Sequence, residues 1–337
     1  MEQIILFAFL VIFPFGQIIR IEIFHPLDII VGIGAAYAII KRLPKPAVFK
    51  YFSNFLLIAA FTWVLGATFY GFLYLIRLAA YFYFFVLVWN FKNRKLLLNS
   101  LLSLSLVSAI FGWVQYFWFP SFKPFMIWGW DEHLYRIAGT FFDPAFLALI
   151  LVFGIILSKK WLITLFLMLT LAFTYSRAAY LAFLAAMFFQ KRFILIFVFL
   201  LLIFFLPRPA GEGVMLERTA SITNRLDGYK QTLNIFEQTP LFGVGYNNLC
   251  LAKNSDFSNH ACSGSDSSLL FILATTGVVG FISFIYLIIM LFQHTAYSIL
   301  HITLIAVLIH SFFSNSIFYP WVLGWLIVLL GSEIKRK

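Results

Sequence analysis

"KKWLITLFLMLTLAFTYSRAAYLAFLAAMFFQKRF", residues 159–193, contains two apolar runs that meet at Tyr175-Ser176-Arg177. Basic pairs bracket the stretch, Lys159-Lys160 on one side and Lys191-Arg192 on the other. The runs 161–174 and 178–190 are shorter than the ~20 apolar residues of a standard transmembrane helix, but a thinner bilayer accepts shorter ones. A guanidinium keeps its proton at any physiological pH, so Arg177 belongs at the water-facing tip of a helical hairpin whose two other ends are both basic. That pattern is a pair of membrane spans.

The rest of the chain has the same character. Of its 337 residues, 63% are hydrophobic and 11% charged, against the roughly 25% charged of a soluble domain. Apolar stretches fall near 3–19, 27–40, 52–68, 71–90, 96–118, 142–157, 161–174, 178–190, 193–206, 267–292, 298–312 and 319–332. The expected fold is all-α: a polytopic membrane protein of about 12 transmembrane helices forming one integral membrane domain over 1–337. The opening "MEQIILFAFLVIF" lacks the basic start and small-residue cleavage site of a signal peptide and reads as a retained first span.

Charge tests the count. With the N-terminus cytoplasmic, alternate loops carry Lys41, Arg42, Lys45 and Lys50, then Lys92, Arg94 and Lys95, then Lys159 and Lys160, then Lys191 and Arg192, and finally Lys335, Arg336 and Lys337. Only Glu2 and Glu333 oppose them on that side. This is the positive-inside pattern and places both termini in the cytoplasm. The net charge of +11 is therefore topogenic and implies no nucleic-acid partner.

On the outer face lie Arg136, Arg177, Arg208, Arg218 and Arg225, with Arg77 within two turns of the outer end of its helix. No ionisable residue falls near the middle of a span, where transporters place theirs. Chemistry is expected at the outer surface. Two outer loops are long: the aromatic-rich 118–144, and 207–266, the one long polar segment. Within the latter, Leu226, Tyr229, Leu233 and Phe236 recur at helical spacing. Asn224 is the expected N-cap, with Asp227 three residues on, and Pro240 and Gly243-Val244-Gly245 end the helix. Arg225 would then stand in the first turn, where unpaired N–H groups favour an anion.

Four motifs occur in order: "RIAGTFFDPAFLA" (136–148), "TYSRAAYLA" (174–182), "RLDGYKQTLNIFEQTPLFGVGYNNL" (225–249) and "DSSLLFILATTGVVGF" (266–281). Together they resemble the O-antigen ligase and O-antigen polymerase superfamily of bacterial envelope glycosyltransferases. The resemblance covers the C-terminal two-thirds, and the motif region runs 136–281. It implies a multi-span enzyme of the inner membrane, similar to other lipid-phosphate-sugar glycosyltransferases, with a periplasmic active site and a long periplasmic loop at 207–266. The implied donor is a glycan on undecaprenyl diphosphate, used without a nucleotide sugar, metal or other cofactor. The acceptor is a lipid A-core sugar hydroxyl in a ligase, or a second lipid-linked glycan in a polymerase. Membrane lipid surrounds the whole. By motif position the diphosphate-binding residues are Arg136, Arg177 and Arg225, with Arg77 a fourth.

The chemistry agrees with that assignment. Guanidinium groups bind phosphate oxygens in pairs, and fixed cations stabilise the charge that builds on a leaving diphosphate. The chain contains no Asp-x-Asp motif. The plainer reading is that each arginine snorkels or pairs with an acid such as Asp143 or Asp227. Ligases of this family carry a histidine eleven residues before a Gly-x-x-Gly pair. Here the pair is Gly277 and Gly280, and Asp266 holds that position. Asp266 is the preferred base for the acceptor hydroxyl, with His260 the other candidate. Asp266 can equally cap the following helix, and His260 can be a solvated loop residue. Ligase is favoured over polymerase because only one of the outer loops, 207–266, is a long polar segment, and Asp266 argues the other way. A lipid-linked glycan flippase would need a polar path through the bundle. Cys250 and Cys262 share the long loop, where an oxidising periplasm would permit a disulfide. Two free thiols, or a zinc site completed by His260, are the alternatives.

Overall fold

A computed structural model of the chain describes residues 1–20, 24–128, 130–255, 262, 264–295 and 298–334. His260 and the basic tail 335–337 lie outside the described residues. Every regular element among the described residues is helical: α1 (Glu2–Ile12), α2 (Pro26–Ile40), α3 (Phe49–Leu65), α4 (Phe69–Asn90), α5 (Arg94–Trp118), α6 (Pro144–Leu157), α7 (Trp161–Ala172), α8 (Arg177–Phe189), α9 (Phe193–Phe204), α10 (Ala220–Gln238), α11 (Leu249–Ala252), α12 (Ser268–His294), α13 (Ile299–Ser311) and α14 (Pro320–Glu333), with a few short 3-10 turns between them. Each of the twelve apolar stretches holds one helix. Three of these, α4, α5 and α12, are long and apolar enough to cross a membrane, and the others are shorter apolar helices.

The caps follow from the sequence. Gly66 ends α3, and the Thr68 side chain accepts from Gly71 N to start α4. Asn93 starts α5 in the same way, and Asp143 and Pro144 together start α6. The first helix is shorter than 3–19. A 3-10 turn with Pro14 follows it, and Gly16 has φ +55°, in a position where a Cβ would strike the Thr140 carbonyl at 2.3 Å. The backbone turns there because a second segment occupies the helix's path.

At the centre, α6 is buried along nearly its whole length and packs against α5, α7, α8, α13 and α14. Its 14 residues rise only ~21 Å. Ser105 on α5 donates to Ile150 O at 2.9 Å, and a Cβ on Gly154 would meet the Ser105 Cβ at 2.5 Å. Small residues allow this close helix approach, as in membrane bundles generally. Trp321 and Trp325 fill the space between α14 and the rest of the core.

Hydrogen bonds sort the connections into two ends. At one end, Gln17 N donates to Thr140 O, Gln17 Nε2 to the Tyr319 hydroxyl and Ile137 N to Phe173 O. There too Tyr175 donates to Pro207 O, Asn248 to Gly66 O and Ser268 to Ser314 O. These bonds gather the connections after α1, α3, α5, α7, α9 and α13. At the other end, Asn90 donates to Pro44 O, Arg94 to Ile334 O, and Arg192 to Ile155 and Ser158 O. The loop arginines and the lysine-rich connections therefore occupy different ends.

Two features of the long connection depart from expectation. First, α10 begins at Ala220 rather than after Asn224, and its N-cap Thr219 makes no side-chain cap bond. Arg177 reaches over to Leu216 O, Arg218 O and the Ser221 hydroxyl and fixes this earlier start. Arg225 is consequently a turn inside the helix, and the helix N-terminus cannot form its anion site. Second, Leu226 and Leu233 are exposed, and the face turned inward carries Thr232 and Ile235.

The α12 helix, read as one continuous span, is broken at Gly277, where φ is +64°. The turn after α10 docks into the break. Val278 N donates to Pro240 O, Val279 N to Leu241 O, and Val244 N to Ala274 O. The amides and carbonyl released by the break thus find partners in a neighbouring segment, as buried backbone requires. Gly243 fits by the same logic: its φ is +68°, and a Cβ would lie 2.5–2.6 Å from the backbone at residues 274–276.

Candidate functional site

At the end where the long connection packs, a cavity of about 450 Å³ opens between the connections. Asp131, Asp143 and Asp266 line it together with Arg20, Arg77 and Lys253, and His25, Asn315 and Tyr319 are among its other polar lining residues.

Asp266 sits just ahead of α12, but the cap of that helix is Ser267, whose hydroxyl accepts from Leu270 N. The Asp266 carboxylate is therefore not needed for capping. It lies over Gly228 of α10, where a Cβ would meet its Oδ2 at 2.5 Å. Burial raises its pKa above the ordinary carboxylate value, against the opposing pull of Arg225 and Lys253. Lys253 donates to Gly264 O at 2.8 Å, and its ammonium is pushed down by burial and drawn back up by Asp266. A disulfide joins Cys250 to Cys262, which leaves no free cysteine. Bridge and lysine together tie α11 to the segment that carries Asp266.

The loop arginines form a second group beside this cavity. Arg225 is within electrostatic reach of Arg136, Asp143, Arg177, Arg218 and Asp266. Their hydrogen bonding separates them by role. Arg177 spends its donors on Leu216 O, Arg218 O and Ser221. Arg218 donates to Gly213 O and Met215 O, and reaches Tyr175 O. These two strap the 213–221 segment to the α7–α8 turn. Arg136 donates from Nε to Thr174 O and from Nη1 to His133 Nδ1, and Gly213 makes room for its stem. Burial pushes Arg136 down to about 10, with Asp143 opposing, and pushes Arg218 down to about 10 with the help of Arg136, Arg177 and Arg225. Both remain charged at neutral pH. Arg225 makes no hydrogen bond or ion pair among the described residues.

Arg77 stands apart from that group. It pairs with Asp28 at 2.8 Å, with both side chains buried, and Tyr81 donates to the same carboxylate at 3.2 Å. Its electrostatic neighbours are Asp28, Tyr74 and Tyr81, together with His25 and Tyr246. The acid that accompanies it is neither of the two expected near the arginines. Arg208 pairs with Glu217 on the exposed surface. Of the sequence-derived site residues, the structure brings Arg136, Arg177 and Arg225 into one cluster. It sets Arg77 and Asp266 on the cavity, and His260 lies outside the described residues.

Sequence reading missed Lys253, His25 and Asp143 as cavity residues. Asp143 entered the sequence reading only as an acid that could pair with an arginine, and Arg218 differed in no visible way from its neighbours. Among the described residues no group of three or more His, Cys, Asp or Glu could hold a metal ion.

No curated protein matches the chain. Residues 144–285, a span that includes Arg177, Arg225, Asp266 and the Gly277–Gly280 pair, match the family model described as O-antigen ligase.

Proposed function

We propose that this protein is a membrane glycosyltransferase of the ligase type, which moves a glycan from undecaprenyl diphosphate to a sugar hydroxyl of the lipid A core on the periplasmic face. The observation that carries the reading is Arg225: a guanidinium without a protein partner among the described residues, electrostatically coupled both to a cluster of arginines and to the Asp266 carboxylate. Arg225 and Arg136 bind the diphosphate. Arg177 and Arg218 add positive potential while holding the loop, and Arg77 contributes from the cavity wall as half of a neutral pair. Asp266 takes the proton of the acceptor hydroxyl, whose oxygen attacks the anomeric carbon. The bond to the diphosphate oxygen breaks, with inversion, and undecaprenyl diphosphate leaves as the stabilised anion. The twelve apolar helices span the inner membrane with both termini cytoplasmic.

The test is an assay with purified protein, a lipid-linked glycan donor and a lipid A-core acceptor, supplied separately and together. Core-dependent consumption of donor supports the ligase, and lengthening of lipid-linked glycan without core would make the protein a polymerase. Arg225→Ala is expected to lower transfer about 100-fold or more, as loss of a transition-state donor does. Arg177→Ala should act mainly through loop stability. If Arg225→Ala and Arg177→Ala both keep full transfer, the diphosphate site is elsewhere.

A further inference from the structure

Two asparagine side chains on the cavity wall make no hydrogen bond among the described residues, although the chain around each is firmly held. Asn247 has φ +58°, in the left-handed region that asparagine tolerates. Its neighbour Asn248 is spent on the scaffold: Nδ2 donates to Gly66 O at 2.7 Å and Val244 O at 3.2 Å, and Oδ1 accepts from Thr68. Asn247 itself is 5% exposed, and its Nδ2 is buried with no partner. Asn315 repeats the arrangement in the α13–α14 connection. The Ser268 hydroxyl donates to Ser314 O at 3.4 Å and accepts from Ile317 N at 3.2 Å, and the Ser316 hydroxyl lies 2.6 Å from His310 Nδ1. Between these anchors Asn315 Oδ1 is buried with no partner. The two segments meet on α12, where the Tyr246 and Phe318 rings pack 6.2 and 5.3 Å from the Phe271 ring.

Buried amides are almost always paired. Since no hydrogen bond holds either of these, each can turn about Cβ–Cγ and offer a ligand its oxygen or its nitrogen. Such a pair suits a group that both donates and accepts. A hydroxyl does both, whereas a phosphate at neutral pH mainly accepts. The charged lining agrees: Asp131, Asp143 and Asp266 stand beside Arg20, Arg77 and Lys253, so the cavity has no excess of cations to draw in an anion. Tyr246 and Phe318 add aromatic surface to the same wall, and a few placed polar groups among aromatic rings are the usual make-up of a small-molecule site.

We infer that Asn247 and Asn315 form a sugar-binding subsite: their amides bind hydroxyl groups of a glycan residue in the cavity that Asp266 also lines. Asn315 lies outside the region matched by the family model. The inference rests on the glycosyl-transfer reading above and deepens it by dividing the site, with the diphosphate at the loop arginines and a sugar at the two amides.

The experiment uses the full-length protein, with initial rates measured against lipid A-core at saturating lipid-linked donor, and against donor at saturating core. Asn247→Gly removes one amide and fits the positive φ, and Asn315→Ala removes the other. Each should raise the KM of one substrate, the same for both variants, about tenfold, the worth of one hydrogen bond, and leave the other KM within about twofold. The substrate affected identifies the sugar, core for the acceptor glycan and lipid-linked donor for the transferred one. Inhibition by undecaprenyl diphosphate, which carries no sugar, should stay within about twofold of normal in both variants. Unchanged KM values, a rise in both, rises in different substrates for the two variants, or weakened inhibition by undecaprenyl diphosphate overturns the inference. If one variant fails to fold, the other decides. If both fail, Asn247→Asp and Asn315→Asp, which keep the shape and lose the N–H donors, are held to the same criteria. Absence of any transfer by the unaltered protein overturns the glycosyl-transfer reading and this inference with it, whereas normal transfer by unaffected variants overturns this inference alone.

Discussion

Lys253 and Arg225 act on Asp266 from two elements, and their effect can be read as a pH dependence. Burial raises the Asp266 carboxyl and the two cations lower it. As a base it must be ionised, so the acid limb of kcat/KM follows its pKa and lies above the ordinary carboxylate range. Lys253→Met removes one lowering influence, and the limb should move to higher pH. Asp266→Asn should abolish both the limb and the activity. A rate profile between about pH 4 and 8 tests this, and a limb that stays in place in Lys253→Met would exclude the coupling. The residue scale is also where sequence is least informative. Arg177 and Arg225 look equivalent as outer-face cations, yet one is spent on carbonyls some forty residues away and the other has no partner among the described residues. Only tertiary contact distinguishes a strap from a ligand.

At the scale of elements, α10 and the broken α12 hold the site, and each turns on one glycine. Gly228 lies within α10, where alanine is the better helix former by ~0.8–1.0 kcal/mol, but a Cβ there would strike the Asp266 carboxylate. Gly228→Ala should therefore abolish most transfer while the thermal midpoint stays level or rises. Loss of activity and of stability together would mean that the residue is merely structural. Gly277 presents the opposite case. Its φ of +64° with ψ of −169° lies in a region open essentially to glycine and costs another residue ~1–3 kcal/mol, and its Cβ would sit 2.3 Å from the Leu241 carbonyl. Gly277→Ala should lower the midpoint and activity together, as measured by thermal unfolding of the purified protein. The glycine pair was visible in the sequence as a motif, but the break was not, because hydropathy runs unbroken through 267–292. The period of α10 was legible and its inward face was not. Leu226 and Leu233 stand exposed while Thr232 and Ile235 are buried, so apolar spacing does not reveal which side packs.

For the whole molecule, the sequence was most informative about alternation. Each apolar stretch is local, each basic loop is local, and the helices form where hydropathy puts them. The site is assembled from parts far apart in sequence: Gln17 meets Tyr319 across 302 positions, and Thr68 meets Asn248 across 180, and no local pattern encodes such pairings. The same alternation sets the last prediction. Hydrogen bonds place the connections around Gln17, Gly66, Ile137, Thr174, Pro207 and Ser314 at one end, and those around Pro44, Ser158 and Arg192 at the other. Alkaline phosphatase folds only where disulfides form, so it reports on which side of the membrane a fusion point lies. Fusions after Gly211 and after Ser314 should be active, and fusions after Lys45, Asn93 and Lys160 should give background activity, since positive connections stay inside. Activity after Lys160 would put the α6–α7 connection outside. It would thereby move the α7–α8 turn, with Arg177 at its end, to the cytoplasmic side, where no lipid-linked glycan awaiting transfer in the periplasm could reach it.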